Sequence, residues 1–152
     1  LGDVYKRQIT INASDNDGNA ATTVSSTFTI DTVPPTLTIS SPAAGLITNK
    51  SALTVTGKTN DGTSSPITLT MTLNGTSLGS VAVETDGSFS KAITLAEGTN
   101  SIVVTAKDGA GQTTSITLSV KLDTTVPVLK GITLTPNPVS TSASVAITVE
   151  VS

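Results

Sequence analysis

Apolar and polar residues alternate through most of residues 36–122. In segment 67–73, four apolar residues alternate with three threonines. A period of two residues is that of a half-buried β-strand, and the helical period of 3.6 residues is found nowhere in the sequence. The pattern predicts an all-β chain in which about seven short strands form an antiparallel β-sandwich. The predicted strands are 37–39, 52–58, 67–73, 81–83, 89–95, 102–106 and 116–122.

Turn motifs separate these predicted strands. Asn74-Gly75 is a pair that two-residue hairpins favour, because both residues tolerate a positive φ angle, and Asp86-Gly87 is a second motif of the same type. Segment 41–49 contains Pro and Gly and is predicted to be a loop. Pro34-Pro35 holds the backbone extended and removes hydrogen-bond donors, so we expect a linker there.

The sequence also repeats itself. Segment 9–19 recurs in similar form at 102–112. Each copy is followed by a strand-like stretch and by a linker that begins with Asp-Thr, at 31–35 and 123–127. The offset is 93 residues from Ile9 to Ile102 and 92 from Asp31 to Asp123. This period is close to the roughly 100 residues of an immunoglobulin-like sandwich. We therefore predict tandem repeats with one complete unit, 32–124, between a C-terminal remnant, 9–31, and the N-terminal part of a third unit, 125–152.

Residues 1–8 differ in style from the rest of the chain. They hold its one Tyr and its one Arg, and Lys6-Arg7 is the one adjacent basic pair. We interpret the segment as translated adapter sequence and leave it out of the fold prediction. The alternative is an ordinary strand and turn of the preceding repeat.

Composition narrows the possible functions. Charged residues make up 12% of the chain, the net charge is −3, and the Lys and Arg residues are scattered, which argues against nucleic-acid binding. No run of 18 apolar residues is present, so no membrane insertion of this segment is expected. A chain without Cys that is rich in Thr and Ser is typical of a bacterial cell-surface or secreted protein, which predicts an extracellular location.

Several motifs together carry a family resemblance. They are Pro35-x-Leu37-x-Ile39, Asp86-Gly87-Ser88-Phe89-Ser90, Leu95-x-Glu97-Gly98-x-Asn100 and Ala106-x-Asp108-x-Ala110-Gly111. The chain resembles the bacterial immunoglobulin-like repeats, in particular domain B of glucodextranase and the repeats of multi-repeat surface proteins. Segment 136–139 is similar to a distinct variety of these repeats. The resemblance implies spacers, adhesin stalks or accessory domains beside carbohydrate-active enzymes.

Catalysis is not expected in this segment. The chain has no His and no Cys, so it lacks the commonest general base and the most reactive nucleophile. Paired carboxylates would have to converge in a cleft, whereas the acidic residues stand singly in predicted turns. We predict that the segment is not an enzyme.

Calcium is the one cofactor for which the sequence offers ligands. Segment 15–19 presents Asp and Asn oxygens of the kind that Ca²⁺ binds. The resemblance implies calcium at the junctions between repeats, with Asp15, Asp17 and Asp31 as candidates at the first junction and Asp108 and Asp123 at the second. The alternative is that Asp and Asn are common in turns because they hydrogen-bond their own backbone.

Two functions are compatible with these observations. The first is a non-catalytic spacer or stalk repeat of a bacterial surface or secreted adhesin-like protein, whose partners are the neighbouring repeats. The second is an accessory module, attached to a secreted carbohydrate-active enzyme, that binds a polysaccharide or a host surface protein. Sugar-binding faces usually present aromatic side chains, and aromatics are 2% of this chain, which favours the spacer.

Overall fold

The computed structural model describes residues 4–61, 64–135 and 146–151 of the 152-residue chain. The regular secondary structure within these ranges is all β, as the alternating pattern predicts. The strands are β1 (Val4–Ile11), β2 (Val24–Asp31), β3 (Thr36–Ser41), β4 (Ile47–Thr48), β5 (Ala52–Asn60), β6 (Thr68–Leu73), β7 (Thr76–Val81), β8 (Ser88–Thr94), β9 (Gly98–Lys107), β10 (Thr113–Leu122), β11 (Leu129–Thr135) and β12 (Ala146–Val151).

Strands β3 to β10 form the central sandwich. One sheet has the order β3-β5-β8 and the other has the order β4-β10-β9-β6-β7. Neighbouring strands are antiparallel, except that β4 runs parallel to β10, with Ile47 opposite Lys121. Buried residues from both sheets belong to one core cluster. The predicted antiparallel β-sandwich is confirmed.

The inward residues of both sheets build a core that is mainly aliphatic. Val55 of the smaller sheet and Met71 and Val120 of the larger sheet are fully buried. Burial of each such side chain stabilises the fold by roughly 1.5–3 kcal/mol. Phe89 is buried as well, and its ring lies over Gly57, where an added Cβ would be 2.6 Å from the ring edge. A glycine at position 57 thus makes the space that this aromatic ring occupies.

Both predicted hairpin turns are present, and they differ in backbone geometry. Asn74 and Gly75 have φ angles of 51° and 80° and connect β6 to β7 within one sheet, as predicted. At the second motif Gly87 alone has a positive φ, of 80°. The strands on its two sides, β7 and β8, belong to different sheets. The chain nevertheless reverses at this motif as predicted, because Val83 forms an antiparallel bridge with Phe89 and Glu84 N donates to Ser88 O at 2.8 Å. The turn differs from the first in its φ angles, and the chain crosses from one layer of the sandwich to the other before it, after β7 ends at Val81.

The predicted loop 41–49 contains a short strand. The two residues of β4 pair with the end of β10, and backbone hydrogen bonds extend this contact: Lys121 N donates to Leu46 O at 2.8 Å and Asp123 N donates to Thr48 O at 2.9 Å. The loop therefore fastens the last strand of the sandwich just before the second linker.

Two hairpins flank the sandwich in sequence. β1 pairs with β2 and β11 pairs with β12, both antiparallel. β1 begins at Val4, and residues 4–8 pair in continuous register with β2, so the boundary predicted at residue 9 falls inside a strand. Residues 1–3 and the 136–139 motif lie outside the described residues. The division into repeats stays a prediction.

Candidate metal centre

Three aspartates meet where the first linker joins the sandwich. Asp31 is the last residue of β2, Asp61 directly follows β5, and Asp108 directly follows β9. One carboxylate oxygen from each lies within 4.8 Å of the other two. We call Asp31, Asp61 and Asp108 the junction acid cluster.

Strand register explains why these residues converge. The end of β5 pairs with the start of β3, with Asn60 opposite Thr36, so Asp61 lies beside the point where the chain enters the sandwich. The start of β10 lies at the same end, because the Thr114 hydroxyl donates to the Pro35 carbonyl at 2.6 Å. β9 ends opposite Thr113 of β10, and this pairing brings Asp108 there as well.

Local turns fix two of the carboxylates through one oxygen each. Asp108 Oδ1 accepts a hydrogen bond from Gln112 N at 2.8 Å, and Asp31 Oδ1 accepts one from Val33 N at 3.0 Å. Within the described residues, the Oδ2 atoms of both side chains are buried and have no hydrogen-bond partner. Each of these two aspartates therefore keeps one buried oxygen for something else.

The electrostatics of the cluster are unfavourable as it stands. Asp108 is only 5% exposed, and within the described part of the chain neither Asp31 nor Asp108 has an ion-pair partner. Two ionised carboxylates no more than 4.8 Å apart repel each other by at least about 3 kcal/mol at an effective dielectric constant of about 20. A buried charge needs a compensating partner, and an all-oxygen set of ligands suits a hard cation.

The structure separates the five aspartates predicted as metal ligands. It brings Asp31 and Asp108 together, and it places Asp108 at the first junction rather than the second, because β9 runs back toward the entry end of the sandwich. Asp15 and Asp17 lie in the exposed loop between β1 and β2 and are not members of the cluster. Asp123 lies after β10, at the opposite end of that strand.

The oxygens of Asp15 and Asp123 are already engaged. Asn19 donates its side-chain amide to Asp15 Oδ2 and its backbone N–H to Asp15 Oδ1, both at 2.8 Å, and these bonds lower the pKa of Asp15. Asp123 accepts the Thr125 hydroxyl and pairs with Lys121 Nζ at 3.0 Å. These contacts, that of Thr125 first, lower the pKa of Asp123 to about 2. Both carboxylates therefore accept hydrogen bonds within their own turns, and calcium binding by Asp15 and Asp123 stays a prediction.

Asp61 is the member of the cluster that the sequence analysis missed. It stands alone after a strand, within an ordinary turn motif that begins at Asn60. The one available signal is that an Asp follows each of the predicted strands 52–58 and 102–106 within three residues. This signal places the two aspartates together only when both strands are known to end on the same side of the sandwich.

A shallow groove adjoins the cluster. It has a volume of about 270 Å³, and its lining includes Asn60, Asp61, Pro66, Glu84 and Gly87. Its lining mixes polar residues with the apolar residues Ile67 and Val83, and there is no aromatic ring among the lining residues. Nothing in the described part of the chain forms a helix with the length and hydrophobicity that a membrane span requires.

Comparison with known proteins identifies relatives of the sandwich. The family model described as glucodextranase, domain B, matches residues 35–124, which is more than half of the chain. Bacillopeptidase F of Bacillus subtilis (strain 168) is 32% identical over 127 residues, which cover 84% of this chain. The chain spans only 8% of the length of that relative.

One of two similar solved structures supports the fold. The fibronectin(III)-like modules of CbhA from Clostridium thermocellum match with a TM-score of 0.51 and 19% identity, over 79% of this chain and 63% of theirs. An engineered protein matches with a TM-score of 0.44 and 22% identity, over 59% of this chain and 20% of its own. The match to the fibronectin(III)-like modules supports the predicted immunoglobulin-like class of sandwich.

Proposed function

Because the chain belongs to the glucodextranase domain B family, we propose that it is a spacer repeat of a bacterial cell-surface or secreted adhesin-like protein. The family and the fold support a non-catalytic immunoglobulin-like module over residues 35–124. We propose in addition that this module holds other domains apart. We expect its partners to be the neighbouring repeats of the same chain.

One observation carries the proposal: the chain enters and leaves the sandwich at opposite ends of the same strand. The first linker is bonded to the start of β10 through Pro35 and Thr114, and the second linker begins after Leu122 at the end of β10. Eight residue steps separate Thr114 from Leu122, and at about 3.3 Å per step they span about 26 Å. Each such module therefore adds length to a tandem array.

The linkers support an extended arrangement. Pro34 and Pro35 precede β3, and Pro127 precedes β11. Proline fixes its own φ near −65° and restricts the residue before it to extended conformations. Linkers that contain proline are more extended and stiffer than flexible linkers, so they keep neighbouring modules further apart.

An extracellular location belongs to the same proposal. Its support is the absence of Cys, the low fraction of charged residues and the similarity to domain B of glucodextranase.

Paired spin labels can measure the end-to-end geometry. The chain has no Cys, so Thr36→Cys with Thr124→Cys introduces just two labelling sites. Double electron–electron resonance between the two spin labels should give a separation of about 25–30 Å. Thr36→Cys with Thr113→Cys is the matched control and should give a much shorter distance. Similar distances for the two pairs would contradict the arrangement in which the two linkers attach at opposite ends of the sandwich.

An exchange experiment tests the function itself. In the full-length protein, residues 32–124 are replaced by an unrelated sandwich of the same end-to-end length. If the segment is a spacer, the full-length protein keeps its activity after this replacement. It loses activity when the segment is deleted, because the domains on either side then lie closer together. Loss of activity on replacement would instead favour a binding role.

The second candidate is an accessory binding module beside a secreted carbohydrate-active enzyme. The family's name connects it with glucodextranase, and the groove next to Asp61 and Glu84 offers a place for a small polar ligand. A glycan array probed with the 152-residue chain distinguishes the two candidates. Binding that is lost on Glu84→Gln would favour the accessory module, and an array without signal would favour the spacer.

A further inference from the structure

We propose that the junction acid cluster binds one divalent hard cation, of which calcium is the best fit, through Asp31, Asp61 and Asp108. The inference goes beyond the spacer role, because a cation site does not depend on what the array holds apart. It also differs from the calcium sites predicted from the sequence, since it leaves out Asp15, Asp17 and Asp123 and includes Asp61.

The distances between the oxygens fit a single ion. Calcium binds oxygen at about 2.3–2.6 Å, so two ligands on opposite sides of the ion are about 4.6–5.2 Å apart. The three carboxylate oxygens all lie within 4.8 Å of one another. They can therefore share one coordination sphere, with backbone carbonyls and water completing the six to eight ligands that calcium takes.

The buried oxygens point independently to a ligand. Asp108 is more than nine-tenths buried, and its Oδ2 has no hydrogen-bond partner among the described residues. Asp31 is half-buried, and its Oδ2 atom is likewise buried without a hydrogen-bond partner among the described residues. Buried acceptors almost always have a partner, and those that lack one call for an explanation such as an ion. A cation that binds both oxygens supplies that partner and removes the repulsion between the carboxylates.

The chemistry of the ligands selects the class of metal. The chain contains no His and no Cys, so the site offers only oxygen. Softer metals such as zinc favour nitrogen and sulfur ligands, whereas calcium favours carboxylate and carbonyl oxygen. Magnesium demands a smaller and more regular octahedron and keeps several waters, so we expect it to bind more weakly here.

The site would join the two sides of the first linker. Asp31 belongs to the end of β2, whereas Asp61 and Asp108 belong to the sandwich. A cation bound by all three fixes the end of β2 to the sandwich across residues 32–35. Calcium would thus control the stiffness of the joint.

Thermal unfolding and calorimetry of the 152-residue chain test the site. Extracellular calcium modules bind with dissociation constants of about 10⁻⁴–10⁻³ M, so about 10 mM CaCl₂ should raise the Tm by about 5–15 °C over EGTA. The same concentration of MgCl₂ should give a smaller shift and serves as the ionic-strength control. Titration calorimetry with CaCl₂ should show one site per chain.

Two variants separate the cluster from other aspartates. Asp108→Asn keeps an oxygen that can accept from Gln112 N but removes one charge, so it should lose the calcium shift and be at least as stable as the wild type in EGTA. Asp17→Asn removes a charge outside the cluster and should keep the full shift. Asp61→Asn repeats the test if Asp108→Asn fails to fold.

Two results would contradict the proposed cation site. A wild-type chain whose Tm is the same in CaCl₂, MgCl₂ and EGTA, without calorimetric binding, has no cation site at the junction. An Asp108→Asn variant that keeps the wild-type calcium shift would also contradict it. Either result would leave the spacer proposal untouched, because that proposal depends on the replacement experiment.

Discussion

Identical dipeptides give aspartates with opposite surroundings. Asp86-Gly87 and Asp108-Gly109 read alike in the sequence. Asp86 is exposed, and Ser88 donates to its Oδ1 from both N, at 3.0 Å, and Oγ, at 2.6 Å. Asp108 is buried and keeps one oxygen without a hydrogen bond from any described residue. Sequence analysis could predict that both are turn residues, but the partners of each carboxylate depend on which strands meet there.

The pKa of Asp86 provides a test of these contacts. Hydrogen bonds from the Ser88 side chain and backbone, followed by the contact with Lys58, lower it from 3.8 to about 2. Because the pKa is lower in the folded chain than in the unfolded one, ionised Asp86 stabilises the fold above pH of about 4. This contribution is lost as the pH falls from about 4 to about 2.

We predict that Ser88→Ala raises the pKa of Asp86 toward 3.8, because it removes the largest cause of the shift. Carboxyl carbon chemical shifts followed by NMR during an acid titration measure it. Ser90→Ala changes an exposed serine of the same strand and should leave the pKa of Asp86 where it is. Equal pKa values in the two variants would show that the Ser88 hydroxyl has no role.

At the scale of single elements, β9 carries a buried amide among its apolar side chains. Asn100 is fully buried, as are Ile102 and Val104 on the same face. Its Nδ2 donates to the carbonyls of Ala96 at 2.7 Å and Gly98 at 3.0 Å. Its Oδ1 accepts from Ala96 N at 2.9 Å and from the Asn74 amide at 3.1 Å. One side chain therefore holds the entry to β9 and the turn between β6 and β7 together.

We predict that Asn100→Ala lowers the free energy of unfolding by about 2–4 kcal/mol, because it removes the four hydrogen bonds of a fully buried side chain and leaves a cavity in its place. Urea denaturation measures the change. Thr99→Ala, at an exposed neighbouring position of β9, should change it by less than about 0.5 kcal/mol. A loss below about 1 kcal/mol for Asn100→Ala would mean that water replaces the missing bonds.

Elements were predictable where a period of two extends over enough residues. Strands β5, β6 and β8 have six to nine residues, and the alternating pattern predicts them at 52–58, 67–73 and 89–95. β4 has two residues, too few to show a period, and was assigned to a loop. The assignment of β7 and β8 to different sheets depends on how the chain crosses between layers, and a turn motif does not encode that. Two of the three members of the junction acid cluster, Asp31 and Asp108, are candidate ligands from their sequence motifs, but the sequence assigns them to different junctions and gives no motif for Asp61.

At the scale of the whole molecule, the flanking hairpins leave apolar faces uncovered. Ile9 is 56% exposed and Val24 is 64% exposed, and they share one face of the β1–β2 hairpin. In the sandwich, the β9–β10 hairpin has an equivalent register, since Val104 pairs with Ile116 as Ile11 pairs with Val24. There the smaller sheet covers the corresponding face. Uncovered faces of this kind promote association.

We predict that the 152-residue chain associates with a second copy through these faces in a concentration-dependent way, as measured by sedimentation velocity. The double variant Ile9→Thr, Val24→Thr should shift the equilibrium toward the monomer, because it reduces the apolar area that association buries. Thr10→Ser, on the other face of β1, is the control and should behave like the wild type. A wild-type chain that stays monomeric throughout would contradict the prediction.

The position of β10 between the two linkers also has a mechanical consequence. Tension applied through the linkers pulls on the start of β3 and on the end of β10, because the first linker continues into β3 and the second continues from β10. The hydrogen bonds that hold β10 run across the strands, to β9 at ten paired positions and to β4 at two. A pull along the strand therefore loads these bonds in shear and together, whereas a pull across it would open them one by one.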